Sequence, residues 1–238
     1  MHRSAAAALA LVVLAGTQLH AQTDAKPEDS SRFARRAAKA AEAVRQLVAV
    51  SDSAPPQSLL RKATCIAVVP GVKQAGFVVG GRLGYGVVSC RVDRKGEWST
   101  PVFIALKGGS VGLQIGGQES DVVLVFLNGN APAYIGRSSF NLGGQVSVAA
   151  GPVGRDLTAE TDYRATAEIL SYSRSRGLFA GLNLAGTKWE IDDNANEQVY
   201  GKQVRAEGAT EALLRRPGDT APTSVRPFVD ALTKNVPG

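Results

Sequence analysis

Residues 108–112 read Gly-Gly-Ser-Val-Gly, a G-x-S-x-G pattern that in a serine hydrolase would set Ser110 on a sharp strand-to-helix turn. Such a serine needs a base to take its proton, and the usual base is histidine. The chain has two histidines, His2 and His20, and both lie in a leading segment with the features of an export signal. The residues after Ser110, Val-Gly-Leu-Gln-Ile-Gly-Gly, also read as strand, so the match is assigned to chance in a glycine-rich stretch. Asp192, Asn194 and Asn196 fill the first three positions of a calcium loop, but Glu197 and Gln203 stand where that loop needs glycine and a bidentate glutamate. Asp192 or Asp193 is expected instead to cap a helix. Asp156, Glu160 and Asp162 crowd one polar turn and define no acid/base pair, and no phosphate-loop or dinucleotide fingerprint occurs. The reading is therefore not an enzyme, with no catalytic residue, no metal site and no cofactor.

What remains is cationic. In SYSRSRGLFAGLNLAGTKWEID, residues 171–192, Arg174 and Arg176 share one face of a strand by period-two alternation, and Lys188 follows beside Trp189. Arginine pairs can fork onto phosphate oxygens while Trp189 and Phe179 rest at a lipid interface; an exposed sheet face made soluble by charge fits the same spacing. From Ser31, Phe33, Ala37, Ala40, Ala41, Val44, Leu47 and Val48 recur at helical spacing, with Arg32, Arg35, Arg36 and Lys39 on the remaining surface. Such a helix lies on an anionic membrane or docks on a core with its charges in water. The alanine-rich stripe inserts weakly, which favours docking.

These residues need a scaffold. The 238 residues carry a formal charge of +6. Met1 to Arg3 precede an apolar run, Ala5 to Gly16, too short to span a bilayer but suited to a signal peptide, with cleavage expected after Ala21. Removing residues 1–21 leaves 26 basic and 21 acidic residues, a net +5 that suits anionic partners and an ordinary basic surface equally. Scattered arginines, few aromatics and export argue against nucleic acid. Export also permits a disulfide between Cys65 and Cys90, while two buried free thiols fit the same pattern. Residues 22–30 read as a disordered linker. Beyond Pro55 and Pro56 comes a short helix, QSLLRKA. Then CIAVVP, AGFVVGG, GYGVVSCRV, WSTPVFIALK, SVGLQIGG and SDVVLVFLN read as short strands separated by turn residues, an antiparallel meander. A hairpin about Arg176 and Gly177, a capped turn at DNANEQVYGK, and helices at TEALLRR and RPFVDALTKN complete the chain.

The segment SRSRGLFAGLNLAGTKWEIDDNANEQVYG resembles the signature of the SYLF domain family. There a Ser-Arg-Ser-Lys/Arg-Gly-Leu-Phe-Ala-Gly run precedes an Asp-x-x-x-Asn-x-x-x-Tyr-Gly element, carried here by Asp192, Asn196, Tyr200 and Gly201. LLRKATCIAVVPGVKQAGFVVGGRLGYGVVSCR, WSTPVFIAL, GGSVGLQIGGQESDVVLVF and GPVGRD are similar to the family as well, so the likeness covers roughly residues 31–205. The resemblance implies a lipid-binding module, with phosphoinositides as ligands of eukaryotic members, actin binding in a fungal branch, and membrane contact through the N-terminal amphipathic segment. In an exported protein actin is not an expected partner, and only anionic membrane lipid carries over. The expected lipid contacts are Phe33, Arg35, Arg36, Lys39, Arg174, Arg176 and Lys188.

The expected fold is one α+β domain, a curved, mostly antiparallel sheet or partial barrel packed with an N-terminal amphipathic helix and short C-terminal helices. Its boundaries are a signal peptide at 1–21, a linker at 22–30, the SYLF-like domain at 31–205 and a C-terminal helical extension at 206–238. The expected function is non-catalytic binding of anionic phospholipid or phosphoinositide-like headgroups by a periplasmic or secreted protein, peripheral at the membrane. The alternative is a structural envelope protein that binds a protein partner.

Overall fold

Two strands of 26 and 25 residues, β1 (Cys65–Cys90) and β2 (Val102–Phe126), organise the molecule. The computed structural model describes residues 27–49, 54–94, 96–154, 167–175, 177–201, 204–216 and 222–236. The expected signal peptide, most of the expected linker, Asp156, Glu160, Asp162, Arg176 and the side chain of Ser110 lie outside the described residues. At about 3.3 Å per residue a straight strand of this length would run on the order of 80 Å, so the ribbon must curl to enclose a core. β1 and β2 pair antiparallel from Cys65↔Phe126 to Val88↔Val102. The expected meander of short strands is thus corrected to two continuous ones, because the Gly and Pro clusters bend the ladder without ending it. Register shifts fall between Val69 and Val72, around Pro70 and Gly71, and between Gly76 and Val78. Gly71 takes the left-handed conformation that this first bulge requires, with φ 61°.

The curl carries β1 back onto itself. Its first and last residues, Cys65 and Cys90, are disulfide-bonded, and beside them the Arg91 N–H donates to the Thr64 carbonyl at 2.7 Å. At the crossing a Cβ on Gly86 would stand 2.2 Å from the Val68 carbonyl oxygen, and one on Gly84 would stand 2.6 Å from Val69 Cγ1. Only glycine allows so close an approach.

The outer edge of β2 extends the same seven-stranded sheet at two places. Residues 104–108 pair with β7 (Thr187–Ile191), which pairs in turn with β3 (Ser139–Asn141). Residues 121–126 pair with β5 (Ile169–Ser175), flanked by β4 (Val148–Ala150) and β6 (Leu178–Gly181). Among the described residues only β4 and β5 pair in parallel as strands, so the sheet is mostly antiparallel and the class is α+β, as expected.

Near its disulfide-bonded end both faces of the ribbon are buried. Ile66, Val68, Phe103, Val123 and Val125 meet a helical layer formed by α1 (Pro27–Ala49), α2 (Gln57–Lys62) and α6 (Arg226–Asn235). Ala67, Val69, Ile104, Leu106, Leu124 and Phe126 face the inside of the curl, where they meet Phe140, Trp189, α3 (Ala131–Ile135) and α5 (Ala206–Leu214). Burial on both faces is why CIAVV and VVLVF are unbroken apolar runs and do not alternate. The segment after residue 205 supplies Val225, Phe228 and Leu232 to the first core and Ala209 and Leu213 to the second. The helices of the expected C-terminal extension thus pack into both cores of the sheet.

Gly86→Ala is expected to lower unfolding stability by at least about 2 kcal/mol, because a methyl group there overlaps backbone that cannot move aside. Chemical denaturation checks this, and an unchanged midpoint would contradict the close crossing. Reduction of the disulfide is expected to remove a further contribution of about 3 kcal/mol, given its separation of 25 residues.

Candidate functional site

The N-terminal half of α1 docks through Phe33, Ala37, Ala40 and Ala41, each at most 1% exposed. Phe33 meets Phe103 edge to face at 5.6 Å. Phe33, expected as a lipid contact, is buried in the core in this structure. The polar face of the helix opens instead onto a cleft of about 520 Å³ between α1 and β1. Arg32, Arg35, Arg36 and Lys39 line one wall, and Lys73, Leu83 and Tyr85 line the other. Leu83 is 44% exposed and Tyr85 41%, and they project side by side on the outer face of β1.

No carboxylate is among the described residues of the lining. Glu119, cross-strand from Lys73 and beside Gly71, stands at its border. Arg35, Lys39 and Lys73 form no ion pair among the described residues. Arg35 donates to Ser31 Oγ at 3.1 Å. Arg36 is committed differently: its Nη1 donates to Asp192 Oδ2 at 2.8 Å, both side chains are 13% exposed, and its guanidinium lies over the Phe33, Tyr85 and Phe103 rings. The cleft thus has a fixed cation at its base and three uncompensated ones around it.

The other expected contacts take separate places. Arg174 on β5 is paired with Asp121 at 2.9 Å, and Asp121 accepts a hydrogen bond from the Gly71 N–H at 3.0 Å, so this pair braces the first bulge of β1 at the cleft wall. Lys188 on β7 stands cross-strand from Lys107, which stands cross-strand from Leu83. Lys107 and Lys188 clasp Glu190 at 2.5 and 2.7 Å. Hydrogen bonds from Lys107 and then Lys188 hold the Glu190 carboxyl below its ordinary range. Lys188 therefore continues the cationic row outward from Leu83 but is already paired. Lys73, Leu83 and Tyr85 were missed from the sequence, since only the ladder register brings them beside the helix, as it brings Lys107 beside Leu83.

Asp192, Asn196 and Tyr200 form a clamp. Asp192 caps the helix α4 (Asp193–Tyr200) by accepting from Ala195 N at 3.1 Å, as it also holds Arg36. Asn196, fully buried, bonds the Phe103 N–H at 2.8 Å and its carbonyl at 3.0 Å, acting as a substitute strand partner. Tyr200 donates to the Pro101 carbonyl at 2.6 Å, and burial pushes its phenol well above the ordinary value. Asp193 caps the next helix through Ala206 N at 2.8 Å. Among the described residues no group of three or more metal-ligating side chains gathers, and no helix is long and apolar enough to cross a membrane.

The domain is thus a coiled two-stranded ribbon clasped by helices, with a cation-lined cleft flanked by exposed apolar side chains. A model of the Ysc84 family, described as Las17-binding protein actin regulator, matches residues 107–235. The chain belongs to this family, that of the SYLF domains. It is 34% identical over 182 residues to the human SH3 domain-containing YSC84-like protein 1, covering 74% of this chain and 53% of that protein. It is 33% identical over 181 residues to the SH3 domain-containing protein PJ696.02 of Schizosaccharomyces pombe, covering 75% and 41%. It is 34% identical over 170 residues to LAS seventeen-binding protein 3 of Saccharomyces cerevisiae, covering 70% and 37%. The chain spans about half the length of these relatives or less.

Asn196→Ala is expected to cost about 2–3 kcal/mol, because it strands the buried N–H and carbonyl of Phe103. Thermal or chemical denaturation measures this. A loss no larger than that of an exposed control such as Asn194→Ala would show that the clamp is not structural.

Proposed function

We propose that the cleft between α1 and β1 binds the phosphate-bearing headgroups of anionic phospholipids, with Leu83 and Tyr85 resting in the interfacial layer. The observation that carries this reading is the adjacency of Arg35, Lys39 and Lys73, none ion-paired among the described residues, to two exposed apolar side chains. Guanidinium and ammonium groups attract headgroup phosphates, and an amphipathic tyrosine suits the boundary between water and hydrocarbon. Arg36, fixed by Asp192, sets the base of the site, and Arg32 extends its rim. The apolar face of the helix stays in the core, so contact is made by its polar face together with the β1 edge. The protein on this reading is a non-catalytic binding module, exported and peripheral at a membrane.

A protein partner is the second reading. It is favoured by the family description as Las17-binding and by Leu178, 62% exposed on strand β6, which presents an apolar side chain at the sheet margin. For an exported chain that partner would be an envelope protein and not actin.

Sedimentation with phosphatidylcholine vesicles, with and without phosphatidylglycerol, separates the two readings. Binding is expected only to the anionic vesicles and should weaken steeply as salt rises. An Arg35→Ala, Lys39→Ala, Lys73→Ala variant is expected to lose about 3 kcal/mol, or roughly a hundredfold in affinity, at about 1 kcal/mol per basic residue. Leu83→Ser, Tyr85→Ser should weaken binding while leaving its salt dependence in place. Absence of binding at low salt would reject the lipid reading and put the protein partner first. In an exporting host, the intact mass is expected to correspond to residues 22–238. An unprocessed chain retained in the cytoplasm would reject export.

A further inference from the structure

The inner face of β1 carries a guanidinium that no carboxylate among the described residues neutralises. Arg82 is 8% exposed and projects from the inner face of β1 toward Thr187 on β7. Its hydrogen bonds go to neutral oxygens: Nη1 to Thr187 Oγ1 at 3.2 Å and to the Asn183 carbonyl at 3.5 Å, and Nη2 to Gln74 Oε1 at 3.3 Å. These are long beside charge-assisted bonds, which run to about 2.7–2.9 Å. No carboxylate among the described residues pairs with it, and burial lowers its pKa from the usual arginine value. A buried charge without a counter-charge is costly, and proteins ordinarily neutralise it.

The geometry of what is left open matters most. A guanidinium has five N–H donors, and the edge formed by Nε and one Nη hydrogen fits the two oxygens of a carboxylate or phosphate side by side. In Arg82 the bonded positions are both Nη1 hydrogens and one on Nη2, so the Nε edge makes no hydrogen bond. Arg91, the other buried arginine on this ribbon, shows the contrast. Its Nε donates to the Ala63 carbonyl at 3.1 Å, its Nη2 donates to the Val236 carbonyl at 3.0 Å, and its plane covers Trp98. The fork of Arg91 is filled by backbone, whereas the Nε edge of Arg82 meets no acceptor among the described residues. Thr187, fully buried, fixes Arg82 from behind, while half-buried Gln74 and exposed Asn183 place the guanidinium at the edge of solvent.

We propose that Arg82 is the receptor of an oxyanion site on the inner face of the curled sheet, which takes a phosphate or carboxylate group in a bidentate grip. The site is separate from the cleft of α1. Lys73 and Leu83, which line that cleft, are the sequence neighbours of Gln74 and Arg82 and project from the opposite face of the strand. Its occupancy therefore stands or falls independently of the vesicle reading.

Side-chain 1H–15N NMR of the full chain, titrated with inorganic phosphate and separately with a water-soluble short-chain phosphatidic acid against chloride at matched ionic strength, tests the site. The Arg82 Nε–H resonance, identified by its loss in Arg82→Lys, is expected to shift saturably. Affinity should fall at least about tenfold in both Arg82→Lys and Arg82→Gln, and should be retained in Arg35→Ala, Lys39→Ala, Lys73→Ala. Response to both ligands assigns the phosphate group itself, and response to phosphatidic acid alone assigns a lipid source. An Arg82 signal indifferent to both, or binding that survives both Arg82 substitutions, overturns the proposal and leaves Arg82 a strut between β1 and the segment before β7. Arg82→Gln also removes three hydrogen bonds. The charge-keeping Arg82→Lys and the wild-type titration keep the result decisive if that variant unfolds.

Discussion

At Gly84 the late part of β1 lies on the side chains of Val69 and Val72 from its early part, and at Gly86 on the backbone of Val68 and Val69, with no room for a side chain on either glycine. Everything else depends on this contact. It closes the ribbon into a curl, and the Cys65–Cys90 bond and the Thr64–Arg91 hydrogen bond tie the ends of the same strand a few residues away. Closing the curl gives the sheet an inside, filled by Trp189, Phe126 and Leu106, and an outside on which α1 can lie. Any side chain at the crossing would hold the two passes apart and open both cores at once, since both are packed on the faces of the same two strands.

The position of α1 follows from a comparison of energies. Phe33, Val44 and Leu47 are at most 1% exposed, and burying side chains of this kind contributes roughly 1.5–3 kcal/mol each. Lifting the helix into lipid would transfer those side chains to another apolar medium, but would also expose Phe103, Phe228 and Leu232, with no compensation for them. The remaining stripe is alanine, which gains little in a bilayer. Docking wins, and the Arg36–Asp192 pair adds a lateral tie between this helix and the clamp formed by Asp192, Asn196 and Tyr200. The family signature read from the sequence is, in the structure, the device that holds the base of the cleft in place.

The fold class and the helix faces were legible because they rest on local periodicity. Phe33, Ala37, Val44 and Leu47 lie in the core as their spacing implies, and Asp192, Asn196 and Tyr200, spaced by four, act together at one helix and its cap. Strand length was not legible, because Pro70 and Gly71 carry the residue types of a turn while the ladder runs through them as a bulge. The cleft was half legible. Arg35, Arg36 and Lys39 could be placed by helical period, whereas Lys73, Leu83 and Tyr85 reach the same space only through the curl and two register shifts. Nothing in the alternation of Arg174 and Lys188 announced that Asp121 and Glu190, distant or on the same strand, would already hold them.

The distribution of carboxylates gives the charge its meaning. A net charge of +6 spread evenly would say little. Here Asp121 is taken by Arg174 and Gly71, Asp192 by Arg36 and a helix cap, and Glu190 by Lys107 and Lys188. Each of these acids stabilises a bend, a docking contact or a strand pair, and none is left to face Arg35, Lys39 and Lys73 outside the ribbon or Arg82 within it. Among the described residues, Lys73 and Arg82 on the two faces of β1 and Arg35 and Lys39 on the helix that covers it are therefore left without an ion pair. Solvent makes the outer group tolerable and leaves it free to meet a surface. The inner one lacks that relief, and no carboxylate among the described residues supplies its counter-charge.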